Sequence, residues 1–256
     1  HLWPWIGAFR YHPRVASQGT VPGPAAQGLA VSFAGAVADY TARLLRLERA
    51  EGGFSYRAGG EPLAEVTSLA VLALKAMGQP GDQARRSLDW LRGLQREDGG
   101  IAPQASVAES NWVTSLGSLA LGAYGETVAQ RRALEWLLRL SGEEFAWQSR
   151  ALRAVLGLKP PYPVRHRGWP WVEGSAAWLM PSALAVLALE SAYRSGAFPD
   201  LAEALTERFV EGRAMIVDRR CTDGGWNHGA PTALDVPCRI CPPRRSRARK
   251  NWAEPC

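Results

Sequence analysis

Two kinds of helical pattern alternate along this chain. Over Asp82 to Gln95, the residues Ala84, Leu88, Leu91 and Gln95 fall on one stripe while Arg85, Arg86, Asp89, Arg92 and Arg96 fall largely outside it, which is the pattern of a helix with one side in solvent. Val66 to Met77 (VTSLAVLALKAM) and Val113 to Tyr124 (VTSLGSLALGAY) instead carry small or apolar residues around nearly the whole circumference. Such helices are expected to be buried on all sides. Alternation of the two kinds predicts an all-α fold in two layers, with Ala, Gly and Ser letting backbones approach closely. The same pattern predicts about eight helices, from about Leu29 to Leu47, Leu63 to Met77, Asp82 to Gln95, Val113 to Tyr124, Arg131 to Leu140, Glu144 to Leu158, Ala176 to Tyr193 and Leu201 to Arg220.

A fixed internal step makes these helices a repeat. From Gly53 to Thr67, from Gly100 to Thr114 and from Gly168 to Ser182 the step is 14 residues, although the copies lie 47 and 68 residues apart. A constant offset with variable spacing marks a repeated supersecondary unit with an insertion between copies. The insertion is SGEEFAWQSRALRAVLGLKPPYPVRH, beginning at Ser141. The 256 residues then divide into an irregular Pro-, Gly- and aromatic-rich arm (1–28), a repeat domain (29–229) and a basic tail (230–256).

The formal charge of +6 resides mostly in that tail; without residues 239–256 the balance is 24 basic against 23 acidic residues. The body is therefore nearly neutral and carries no electrostatic footprint for nucleic acid or an anionic membrane. Three of the four cysteines are also in the tail, so this is no disulfide scaffold. No apolar run approaches the ~20 residues of a membrane-spanning helix, and LWPWIGAF is too short and too rich in Trp and Pro for a signal-peptide core. A cytoplasmic or peripheral membrane protein is expected, with oligomeric state left open.

The run Arg86, Ser87, Trp90, Leu91, Gln95, Gly99, Gly100 resembles the QW motif of squalene-hopene cyclases and related triterpene cyclases, with Ile101 where the motif has Trp. CTDGGW, Cys221 to Trp226, resembles a second copy with Arg220 in the glutamine position. Over roughly residues 29–229 the chain is similar to the prenyltransferase and squalene oxidase repeat superfamily. The resemblance implies an α/α toroid with an apolar central cavity for a polyprenyl ligand, and no cofactor. It does not supply the chemistry. Class II cyclases protonate an alkene with a DxDD aspartic acid, and no DxDD occurs among the eight aspartates. Protein prenyltransferases hold zinc with Asp, Cys and His near the starts of their inner helices, where this chain offers only Glu65. Cys238 and Cys241 with Cys221 and His228 have the makings of a Cys3His site, but the spacing fits no defined finger and no metal is assigned.

Glu65, Glu109 and Glu173 each stand just ahead of an apolar helix, where a toroid's cavity mouth would lie. Each is either a catalytic acid or a carboxylate complementing a helix dipole. Trp112, Trp169, Trp171 and Trp178 occupy the same zone and either line a ligand cavity, where indole faces stabilise developing cations, or pack structurally. Trp90 and Trp136 share one repeat position and read as packing residues. Three function classes follow: a cyclase-like isoprenoid enzyme, a non-catalytic toroid binding a lipid or protein, and an inactive fragment, since eight helices fall short of the superfamily's ring. The repeat also stops abruptly. A fourth apolar helix is due near Arg239, where RICPPRRSRARKNWAEPC stands instead, and Pro242-Pro243 would break it. The stretch from about Thr232 to Cys256 reads as foreign to the fold, as a shifted reading frame would leave it.

Overall fold

The structure, a computed structural model, describes residues 24–79, 81–158, 164–221 and 225–226. The arm before residue 24 and the tail 230–256, with His228, Cys238 and Cys241, lie outside the described residues. Contacts divide the chain into two units, His1–Ala42 and Arg43–Cys256.

The described residues are mostly helical. In the first unit lies most of α1 (Pro24–Leu45), which begins five residues ahead of the expected Leu29. Proline at the first helical position explains the early start, because its missing N–H would be unpaired there in any case. The second unit carries three helix pairs: α2 (Ala64–Ala76) with α3 (Gly81–Gly93), α4 (Val113–Ala123) with α5 (Thr127–Arg139), and α7 (Leu179–Ser195) with α8 (Ala202–Asp218). Between α5 and α7 the insertion forms a short 3-10 turn (Glu143–Phe145) and α6 (Trp147–Val155). The only strands among the described residues are β1 (Trp169–Pro170) and β2 (Ala177–Trp178), an antiparallel pair two residues long.

Within the second unit α4 lies between α2 and α7, giving a central row, and each helix of the row packs on its own amphipathic partner. Eight of the eleven residues of α4 are buried, as its composition requires. The helices at either end of the row are less covered than the sequence led us to expect. Leu69 of α2 is 50% exposed and Leu187 of α7 is 55% exposed. The reason is position: α4 packs on row neighbours on both sides, α2 and α7, whereas α2 and α7 each pack on one other row helix, α4.

Helix partners are held by apolar clusters. Leu134, Leu137, Trp169, Leu189 and Leu205 join α5, α7 and α8, while Val71, Leu88, Leu91, Ile101 and Leu121 join α2, α3 and α4. Burying each such side chain contributes about 1.5–3 kcal/mol. The insertion is fastened by one buried ion pair, Arg219 Nη2 to Glu144 Oε1 at 3.2 Å, and both carboxylate oxygens also accept from the Ala177 N–H. No helix among the described residues is long and apolar enough to cross a membrane.

Candidate functional site

The repeated 14-residue step has a structural cause. The N–H of Phe54 donates to Thr67 Oγ1, that of Ile101 to Thr114 Oγ1 and that of Trp169 to Ser182 Oγ, at 2.8 Å each and 13 residues apart each time. The residue after each repeat glycine is thus clasped by a hydroxyl in the first turns of the row helix that follows. All three clasps are buried, where an unpaired N–H would cost about 1–3 kcal/mol. The glycine turns repeat as well. Arg49 N–H donates to Gly53 O, Arg96 N–H to Gly100 O and Cys221 N–H to Gly225 O, all at 2.8 Å, so Cys221 and Gly225 are bonded as the equivalent residues of the other two copies are.

Because the clasps fix the register, residues at equal distances from Thr67, Thr114 and Ser182 occupy equivalent places. Five residues on come Leu72, Leu119 and Leu187; two residues before come Glu65, Trp112 and Met180. None of these six is buried. On α4 the only residues not buried are Leu119, Gly122 and Ala123, so this stripe is the side that row neighbours and outer partners cover least, although Leu72, Leu119 and Trp112 still pack in part against the core clusters. The row therefore presents an open apolar face built of three leucines, with Trp112, Met180 and a single carboxylate, Glu65, toward the helix starts. Glu65 accepts a hydrogen bond from the hydroxyl of Tyr56, which with burial and the carboxylate charge raises the phenol above its usual pKa. The leucines were readable as the last letter of TSLAVL, TSLGSL and SALAVL, but solvent exposure at that letter was not.

The structure separates the three glutamates. Glu65 lies within the first turn of α2. Glu109 and Glu173 are exposed loop residues, and together they line a different cleft, about 740 Å³ in volume, with Arg96, Asp98, Ser110 and Asn111. Asn111 and Val172 form a bridge that brings the two loops together. The tryptophans also part company. Trp112 and Trp171 meet edge to face, 5.0 Å between centroids at 86°, and the Trp112 N–H donates to Trp171 O at 3.0 Å. Trp169 is 1% exposed, donates Nε1–H to Leu137 O at 2.8 Å and carries the Arg208 guanidinium 3.6 Å above its ring, so it is a core residue. Trp178, in the ladder opposite Trp169, is 37% exposed.

Arg208 was not singled out in the sequence. It is almost wholly buried and donates to Arg167 O (3.0 Å), Leu140 O (2.9 Å) and Gly168 O (3.2 Å). Burial, and then the charge of Arg167, lowers its pKa to about 10, which leaves it protonated at neutral pH. Among the described residues no cluster of three His, Cys, Asp or Glu side chains is placed to hold a metal, and Cys221 is a buried free thiol. No family model and no curated protein matches this chain.

Proposed function

We propose that residues 29–229 are part of an α/α toroid of the squalene-cyclase kind and that its uncovered row face holds an isoprenoid chain. The observation that carries this reading is the repeat-equivalent stripe on three successive helices, in which Leu187 and Met180 are exposed and Leu72, Leu119 and Trp112 are half-buried. An uncovered apolar face suits a flexible hydrocarbon, since each CH₂ removed from water gains about 0.8 kcal/mol. Glu65 is the carboxylate on that face. Its place beside the leucine stripe makes it the candidate for an alkene-protonating acid. A second reading, a non-catalytic isoprenoid binder, is favoured by the lack of a DxDD motif.

Incubation with squalene and with polyprenyl diphosphates, followed by extraction and mass spectrometry, separates the two. Cyclic products that vanish in Glu65→Gln support an enzyme. Retained but unconverted ligand supports a binder, and the absence of both retention and product overturns the isoprenoid reading.

A further inference from the structure

Helix α6 meets the body with its polar side. Ser149 Oγ donates to Glu143 Oε1 at 3.3 Å, and Arg153 donates through Nε to Ser149 O at 3.1 Å and through Nη2 to Glu144 O at 2.5 Å. Between this side and the returning Val164-Arg165 segment lies a cleft of about 390 Å³. Three arginines line it, Arg150 and Arg153 from α6 and Arg165 from the return. Its one carboxylate, Glu144, is buried and already engaged by Arg219 and by the Ala177 N–H.

The neighbouring cations are treated differently. His166 faces Asp218 at 3.6 Å and Arg167 binds Glu211 at 2.8 Å, both on α8, whereas Arg165 has no carboxylate partner among the described residues. Arg150 has none there either. Arg153 is held by two backbone carbonyls, which fixes its guanidinium and leaves Nη1 uncommitted. Like charges gathered in one concavity repel one another, and an anion placed among them relieves that repulsion. Arginine forks match phosphoryl oxygens two at a time, so phosphate is the anion this arrangement suits. The rest of the wall, Phe145, Ala154, Leu158 and Val164, is apolar and offers contact to carbon. We propose that this cleft binds a small organic phosphate, with its phosphoryl group on Arg150, Arg153 and Arg165 and its carbon body against Phe145, Leu158 and Val164. The cleft belongs to the insertion, and the proposal is independent of what the row face binds.

The test is isothermal titration calorimetry of the full chain with inorganic phosphate and with phenyl phosphate, in about 0.15 M salt so that loose surface attraction is screened. The expected result is saturable binding of both, at least about fivefold tighter for phenyl phosphate because its ring reaches the apolar wall. Arg150→Ala and Arg165→Ala each lower the affinity about tenfold or more, the loss of one charge-assisted contact. Both side chains are exposed, so the circular-dichroism melt without ligand stays put, while the upward shift that phenyl phosphate gives the parent chain shrinks in both variants. Arg85→Ala removes the same charge from an exposed position on α3 outside the cleft and leaves the affinity unchanged. Leu158→Ser, at an exposed position, narrows the preference for phenyl phosphate and spares inorganic phosphate. No saturable binding, equal affinity for the two phosphates, indifference to both cleft arginines, or an equal loss in Arg85→Ala would each overturn it.

Discussion

In the second repeat the turn after α3 is closed by Gln95, whose side-chain amide donates to Gly99 O and, across to α5, to Ala129 O, both at 2.9 Å. In the third repeat Ser141 stands at the glutamine position, and the chain leaves for the insertion before returning at Gly168 and Trp169. There the closure comes from the opposite direction: Arg208 on α8 reaches Leu140 O, Arg167 O and Gly168 O and stacks on Trp169. Both repeats nonetheless keep the same hydroxyl clasp, Thr114 to Ile101 and Ser182 to Trp169, at the same 2.8 Å. The constant of this fold is the clasp, which sets the register of the row helices. The turn that feeds it is replaceable, and its replacement depends on a buried cation instead of a neutral amide.

That contrast ranks the expected effects of substitution. Arg208→Ala has the largest: it leaves three carbonyls short of a donor and uncovers the Trp169 ring, and urea unfolding should show a loss of about 3–5 kcal/mol. Arg208→Lys restores only part of it, because one ammonium cannot match the planar fork or stack in the same way. Gly99→Ala comes next. Gly99 has φ +93°, and a Cβ there would meet the Arg132 carbonyl oxygen, so a cost of at least about 2 kcal/mol is expected, with Gly93→Ala, where nothing is near, as the neutral control. Gln95→Ala should cost about 1–2 kcal/mol, less than Arg208→Ala, since only a neutral, part-buried amide is lost. A greater loss at Gln95 than at Arg208 would reverse the comparison.

The smallest effect belongs to the exposed pair that Arg131 forms with Asp200. Its hydrogen bond to Arg131 holds the Asp200 carboxyl below the usual aspartate pKa. A carboxyl lowered on folding adds stability above its unfolded pKa, and that contribution disappears as pH falls through the folded value. The pair is open to solvent and screened by salt. Asp200→Asn should therefore leave the unfolding midpoint at pH 7 unchanged within error and slightly flatten its fall in acid.

The helices and their repeat were legible because the clasp demands a hydroxyl at a fixed distance from a glycine, and the residues packed in the row must be small or aliphatic. What composition could not tell was which side of each apolar helix stays open. Leu72, Leu119 and Leu187 look like any core leucine until their neighbours are known. The three glutamates looked equivalent because each precedes a row helix, but the loops differ in path: Glu65 is already inside α2, whereas the bridge from Asn111 to Val172 gathers Glu109 and Glu173 into another cleft. Arg208 was hidden for a similar reason. An arginine on an otherwise amphipathic helix reads as solvated, and only the returning strand makes it a buried tie. The face of α6 was equally unreadable, since periodicity gives an apolar side without saying whether it points inward.

The row face can be set directly against the loop cleft by measuring equilibrium binding of squalene or a polyprenyl diphosphate to four variants of the full chain. Leu187 is more than half exposed, so Leu187→Glu leaves the core intact while placing a charge on the row face; Leu119 is half-buried, so Leu119→Glu, at the centre of the row, is read beside a circular-dichroism melt that checks the fold. Glu109→Gln and Glu173→Gln alter only the cleft. The expected result is at least a tenfold loss of affinity in both leucine variants and none in the two glutamine variants. Binding that survives both leucine substitutions and fails in Glu109→Gln or Glu173→Gln would contradict the account and move the site to the cleft.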